Sequence, residues 1–171
     1  IGAMNMFLKR DEAMAEIYVE SYLKGMNNFR AEDAQINMDI ERNQAELEGL
    51  KIWQKELQLK ARESDTEKDR SFYYEQSLKN GLRTHELQLR QDRLIKKKAD
   101  VHKEIEGFIE AAQDGWKDVA SSTMPEADKR KFRQDLERDR LFTQNEMANQ
   151  QQRDQREQER VLPEETFNTK P

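Results

Sequence analysis

Few residues in this chain are of the types and spacings that do chemistry. Asp65, Glu67 and Asp69 alternate as the first ligands of a calcium loop would, where carboxylates at positions one, three and five wrap a hard cation. Such a loop also needs a glycine at position six for its sharp turn and a bidentate glutamate at position twelve. Arg70 and Gln76 stand there instead, so no calcium site is predicted. Neither His85 nor His102 follows a glutamate by three residues, the spacing by which helical bundles build carboxylate-bridged metal centres. His102 reads as a partly buried histidine with a hydrogen-bond partner rather than a proton switch. The chain has no cysteine and no glycine-rich phosphate loop, which leaves nucleophilic and phosphoryl-transfer chemistry without residues to carry them. The reading is therefore non-enzymatic, with no catalytic residue, no metal, no cofactor and no small-molecule substrate.

Composition narrows the class further. Leu, Ile, Val and Phe together number 33 of 171 residues, too few for a sizeable spherical core, so the chain is either disordered or made of long helices. Periodicity decides for helices. Charged residues make up 38% of the chain, but the 30 basic and 35 acidic side chains are interspersed, and no segment is a one-sign tail. Two short basic clusters, Lys96-Lys97-Lys98 and Lys129-Arg130-Lys131 with Arg133, leave a nucleic-acid-binding adaptor as a remote alternative; Asp92, Asp100, Asp128 and Asp135 dilute their field. No apolar run approaches the roughly 20 residues that span a bilayer, so no transmembrane segment is expected. The absence of cysteine is compatible with the cytoplasm or a virion interior. The chain begins with Ile1 rather than methionine, which reads as a processed start, a fragment, or a cloning remnant at Gly2-Ala3-Met4.

The elements follow from spacing. Tyr22, Met26, Phe29, Asp33, Ile36, Ile40, Asn43, Leu47, Leu50, Gln54, Leu57 and Ala61 step along the chain at alternating intervals of four and three, a heptad seam on one long helix. Ile17, Tyr18, Met38, Ile52, Trp53 and Leu59 lie beside the seam and widen the stripe, which predicts a third helix against it. Asp33, Asn43 and Gln54 are polar seam positions of the kind that fix register and oligomer state. Glu63 to Ser71 lacks any large apolar residue and reads as a break with a capping box from Ser64 to Glu67, or equally as solvated continuous helix. Asn80-Gly81 reads as a helix C-terminus with glycine in the left-handed conformation, which places the reversal there and lets Thr84 cap the next helix. That second helix carries Leu87, Gln91, Leu94, Lys98, Val101, Ile105, Phe108 and Ala112 at the same spacing, with Ile95, His102 and Ile109 beside them. A first helix from about residue 8 to 62 would be roughly 80 Å long, and a stripe of that length would exceed a second helix of about 45 Å, leaving seam surface for another chain.

A third helix starts at Thr123-Met124-Pro125-Glu126, with threonine as cap, proline in the first turn and glutamate completing the box. It holds Phe132, Leu136, Leu141, Phe142 and Met147. Asn149 to Arg160 then has no apolar side chain, and Val161-Leu162-Pro163 with Phe167 reads as an extended tail with an apolar handle for docking. The division expected is 1–120 as a long-helix antiparallel region, 121–148 as the third helix and 149–171 as a polar, glutamine-rich end and tail. The fold class is all-α: an elongated, coiled-coil-like bundle with one long N-terminal helix, a reversal and a polar tail.

This outline is similar to two families. The helical export chaperones of flagellar and type III secretion systems are two-helix coiled coils of comparable size, and the internal ejection proteins of short-tailed phages are glutamine-rich, charge-balanced, cysteine-free helices in multi-copy assemblies. What either resemblance implies is a structural or assembly role with other protein chains or copies of itself as partners. The residues expected to carry it are the interaction seam (Tyr22, Met26, Phe29, Ile36, Ile40, Asn43, Leu47, Leu50, Leu57), the second-helix face (Leu87, Leu94, Val101, Ile105, Phe108) and the tail residues Val161, Leu162 and Phe167.

Overall fold

A computed structural model describes the backbone from Gly2 to Asn168 and the side chains of residues 10–153, 155 and 156. Three helices follow one another: α1 (Gly2–Glu63), α2 (Glu67–Ala120) and α3 (Glu126–Asn168), with no strand among the described residues. None of them is long and apolar enough to cross a membrane, among the described residues. The chain divides into two compact units, one formed by Ile1–Asn27 with His102–Pro171 and the other by Asn28–Val101.

The second of these units, residues 28–101, is a helical hairpin, and its turn lies at residues 64–66 rather than at Gly81. Ser64, Asp65 and Thr66 are the only residues between α1 and α2. The Thr66 hydroxyl accepts from the Asp69 backbone N–H at 3.2 Å and so caps α2, while Ser64 donates to the Lys60 carbonyl at 2.6 Å. The Arg70 guanidinium donates to the Ser64 carbonyl at 3.2 Å and ties the loop to the new helix. Lys60 and Arg62 close α1 where its dipole is negative, and Glu67 and Asp69 open α2 where its dipole is positive. The cap is thus Thr66, two residues beyond the Ser64 expected from sequence.

Gly81 sits inside α2, and no described residue has positive φ. The expected cap at Thr84 is likewise absent: its hydroxyl donates back to the Asn80 carbonyl at 2.9 Å in mid-helix. Asn80-Gly81 satisfies the local grammar of a helix end, but Asn80 is recruited by the opposite helix instead. Its amide donates to Leu50 O at 3.0 Å and to Gln54 Oε1 at 2.7 Å.

The unit formed by residues 1–27 and 102–171 contains the first part of α1, the last part of α2, and α3. Here the third helix does meet the stripe of α1. Phe132 of α3 is 1% exposed; its ring lies edge-on to Tyr22 at 5.5 Å and to Tyr18 at 6.2 Å, and Trp116 of α2 tilts against it at 6.0 Å. Tyr22 stacks on Phe108 at 5.3 Å, and its hydroxyl donates to the buried Asp139 carboxylate at 2.8 Å. Burial, then the charges of Asp118 and Asp114, raise the Tyr18 phenol above the usual tyrosine range. α3 starts behind Pro125, whose carbonyl accepts from the Asp128 and Lys129 N–H groups, as the proline at the helix start predicts. Its backbone continues through the glutamine-rich segment to Asn168, where the sequence reading has an extended tail from Val161. Glu, Gln and Arg are strong helix formers and residues 149–160 contain no glycine or proline, so the segment needs no apolar face to remain helical.

Two glycines separate these environments experimentally. A Cβ on Gly25 would lie 2.6 Å from Phe108 Cζ, in a ring already clamped by Tyr22, whereas a Cβ on Gly81 would meet nothing within 4 Å. Gly25→Ala should therefore destabilise by about 1–2 kcal/mol, overpacking exceeding the gain in helix propensity. Gly81→Ala in the free chain should stabilise by about 0.5–1 kcal/mol. Thermal denaturation followed by circular dichroism reads both signs, and a destabilising Gly81→Ala would restore the turn at that position.

Candidate interaction surface

Within residues 28–101, the heptad seam of α1 is met by α2 of the same chain. Ile36, Asn43, Leu57 and Ala61 are buried, and Phe29, Asp33, Ile40, Leu47, Leu50 and Gln54 are half-buried. On α2, Asn80, Leu87, Gln91 and Val101 are buried and Tyr73, Ser77, Thr84, Leu94 and Lys98 half-buried, again at three-four spacing. The remaining seam residues, Tyr22 and Met26, are buried in the other unit, as is Ile105, with Phe108 half-buried beside Tyr22. The side chains of Val161, Leu162 and Phe167 lie outside the described residues.

The expectation of seam surface left bare is corrected by the length of α2. Because α2 begins at Glu67 rather than Thr84, it runs for 54 residues and faces the seam up to the hairpin turn. Two of the polar seam residues, Asn43 and Gln54, bond across the hairpin, as does Lys98 of α2. Asn43 donates to Leu87 O at 2.9 Å and to Gln91 Oε1 at 2.7 Å, Gln54 donates to Ser77 Oγ at 2.5 Å, and Lys98 donates to Asn37 Oδ1 at 2.6 Å. Every partnership that moves toward the turn along α1 moves toward it along α2, so these bonds fix one antiparallel register inside the chain. At the turn end, the Lys60 ammonium sits over Trp53 at 5.1 Å and Tyr73 at 6.0 Å.

The surface left over is on the outer faces of the hairpin, and sequence inspection missed its organisation. On α1, Ala31, Met38, Ala45, Ile52 and Leu59 recur at seven-residue intervals and all are exposed. A helix that only needed to pair with α2 would carry polar residues at this outermost heptad position. The expected third helix against Met38, Ile52, Trp53 and Leu59 is absent from this unit, because α3 belongs to the other. On α2, Tyr74, Leu78, Leu82 and Leu89 are 57%, 72%, 68% and 48% exposed. At about 100° per residue they fall within about 40° of Leu78 around the helix, away from the buried positions. The spacing four, four, seven was the available signal; the supposed helix end at Gly81 divided it in two.

The basic clusters are partly consumed by the fold. Lys98 is held by Asn37, and Lys129 is 8% exposed, with its ammonium on Ala120 O at 2.9 Å and Glu126 Oε1 at 3.4 Å. His102 is buried, with Nε2 3.5 Å from the Glu146 carboxylate of α3. His85, by contrast, is exposed on α2 between Leu82 and Leu89.

The hairpin thus presents two apolar strips with exposed charged side chains beside them. Compared with known proteins, no family model, no curated protein and no solved structure matches the chain.

Proposed function

We propose that the chain is a non-enzymatic assembly protein that packs into a multi-subunit complex through the outer faces of its hairpin. The observation that supports this reading most is the pair of exposed apolar strips on a hairpin whose inner seam is already satisfied. Ten large apolar side chains of residues 28–101 are exposed: Met38, Ile52, Trp53, Leu59, Phe72, Tyr74, Leu78, Leu82, Leu89 and Ile95. Monomeric proteins rarely expose apolar patches larger than about 300–600 Å², and such patches mark interaction surfaces. A two-helix hairpin has no interior in which to bury them, so partners from outside supply the missing layer.

The test is the native mass of the chain in an extract of its source, by native electrophoresis or size exclusion with immunodetection. The protein should run in a complex well above the mass that the same band shows on denaturing electrophoresis. Finding it there wholly at the mass of one chain would sink the proposal.

A further inference from the structure

We infer that the α2 strip docks a second copy of this chain, helix against antiparallel helix, across a crossing point at Gly81 and Leu82. This rests on the assembly reading above and names one partner for it.

Gly81 is the first observation. Mid-helix glycine costs about 1 kcal/mol relative to alanine, and apart from its chain neighbours and the backbone of its own helix no described atom lies within 4 Å of where its Cβ would stand. No turn or positive φ requires it, and no neighbour in the hairpin crowds it. It lies halfway along the strip on its flank, about 60° from Leu78 around the helix, where a residue without a side chain lets a second helix backbone approach closely.

Charge is the second. A two-fold axis beside Leu82 sets Leu82 against its own copy and places Leu89 of the second copy between Tyr74 and Leu78. The same axis sets Lys79 level with His85 of the second copy and about 1.5 Å along the helix from Glu86 on the same flank, close enough for an ion pair, and by symmetry the pair occurs twice. A parallel arrangement would face Lys79 and Glu86 with Gly81 and Gln88, which offer no complementary charge. Among the described residues of the single chain, Lys79 pairs with Glu75 at 3.7 Å and Glu86 with Arg83 at 3.3 Å. All four side chains are more than half exposed, so these contacts are weak and free to exchange.

Size is the third. From Tyr74 to Leu89 the strip is about 24 Å long, which makes a contact smaller than the roughly 1,600 Å² of a standard stable interface. The dimer should therefore be reversible, with a dissociation constant in the micromolar range, on the order of 1–100 µM.

Sedimentation equilibrium of the full chain over about 5–500 µM tests this. The average mass should rise from 20.4 kDa toward twice that value, and Leu78→Glu with Leu82→Glu should hold it at 20.4 kDa with helical content unchanged. Ile52→Glu, on the α1 strip, should associate like the parent. Lys79→Glu should weaken association about fivefold, and adding Glu86→Lys should restore it, as only antiparallel pairing requires. Since the chain has no cysteine, Leu82→Cys should form a disulfide-linked dimer under mild oxidation and Leu59→Cys should not. A monomer at every concentration overturns the inference; if the chain still occurs in a large native complex, another protein is the partner and the assembly reading stands. Doubling of mass that survives the α2 double variant, or that is lost only in Ile52→Glu, also overturns it and moves the contact elsewhere.

Discussion

Phe132→Ala should lower stability by about 3–5 kcal/mol, the largest effect expected from any single truncation in this chain. The ring is 1% exposed, and three aromatic neighbours converge on it: Tyr18 and Tyr22 from α1 and Trp116 from α2. Removing it abolishes the transfer free energy of a whole ring and leaves a cavity that rigid aromatic walls close poorly. Each lost edge-to-face contact adds about 0.5–1.5 kcal/mol beyond area alone. For a chain of this size the melting temperature should fall by roughly 6–20 °C. The loss has a place as well as a size. Amide exchange should accelerate first around Tyr22 and throughout the α3 segment, and later around Asn43, because only the first unit loses its central side chain. A change below about 1 kcal/mol would show that α3 does not pack through Phe132 in solution. Phe132→Leu, which keeps much of the volume, should recover more than half of the loss.

The second large effect is a reversal of sign. Asn43 and Gln91 are buried opposite one another, but their bond leaves Asn43 Oδ1 and Gln91 Nε2 without a hydrogen-bond partner. Asn43→Leu alone removes the donor to Gln91 Oε1 and strands a whole buried amide, so it should cost about 1–3 kcal/mol. The double variant Asn43→Leu with Gln91→Leu removes donors and acceptors together and completes an apolar layer between Ile40 and Leu47. It should be more stable than the parent by about 1–3 kcal/mol. Denaturant unfolding of the two single variants and the double variant closes the cycle, and the coupling should be favourable and larger than about 1 kcal/mol. A single Asn43→Leu that is already stabilising would mean that the cross-hairpin bond does not form in solution. The native pair is then a device for specificity: it lowers stability but penalises any slip of α1 along α2, since a displaced amide would face leucine.

The same residues show where sequence reading reaches and where it stops. The seam from Tyr22 to Ala61 and its continuation from Leu87 to Ala112 were legible because burial on a helix repeats with the helix's own period. Each of these positions is buried or half-buried. The start of α3 was legible for a similar reason: proline and its neighbours act within one turn. The hairpin turn was not. Asn80-Gly81 and Ser64-Asp65-Thr66 are both acceptable helix ends by local chemistry, and the choice was made by Asn80's bonds to Leu50 and Gln54, 30 and 26 residues away in the chain. Nor could spacing say which chain would cover the seam, because a heptad stripe has the same pattern whether its partner is internal or external. Moving the turn from Gly81 to residues 64–66 lengthened α2 enough to face the seam from within. That freed the outer strips, including Leu78 and Leu82, to be the exposed surface. Periodicity reports which face of a helix avoids water, a local property of one strand of sequence. How many neighbours that helix has, and from where, depends on bonds between distant residues, and only the tertiary structure decided it.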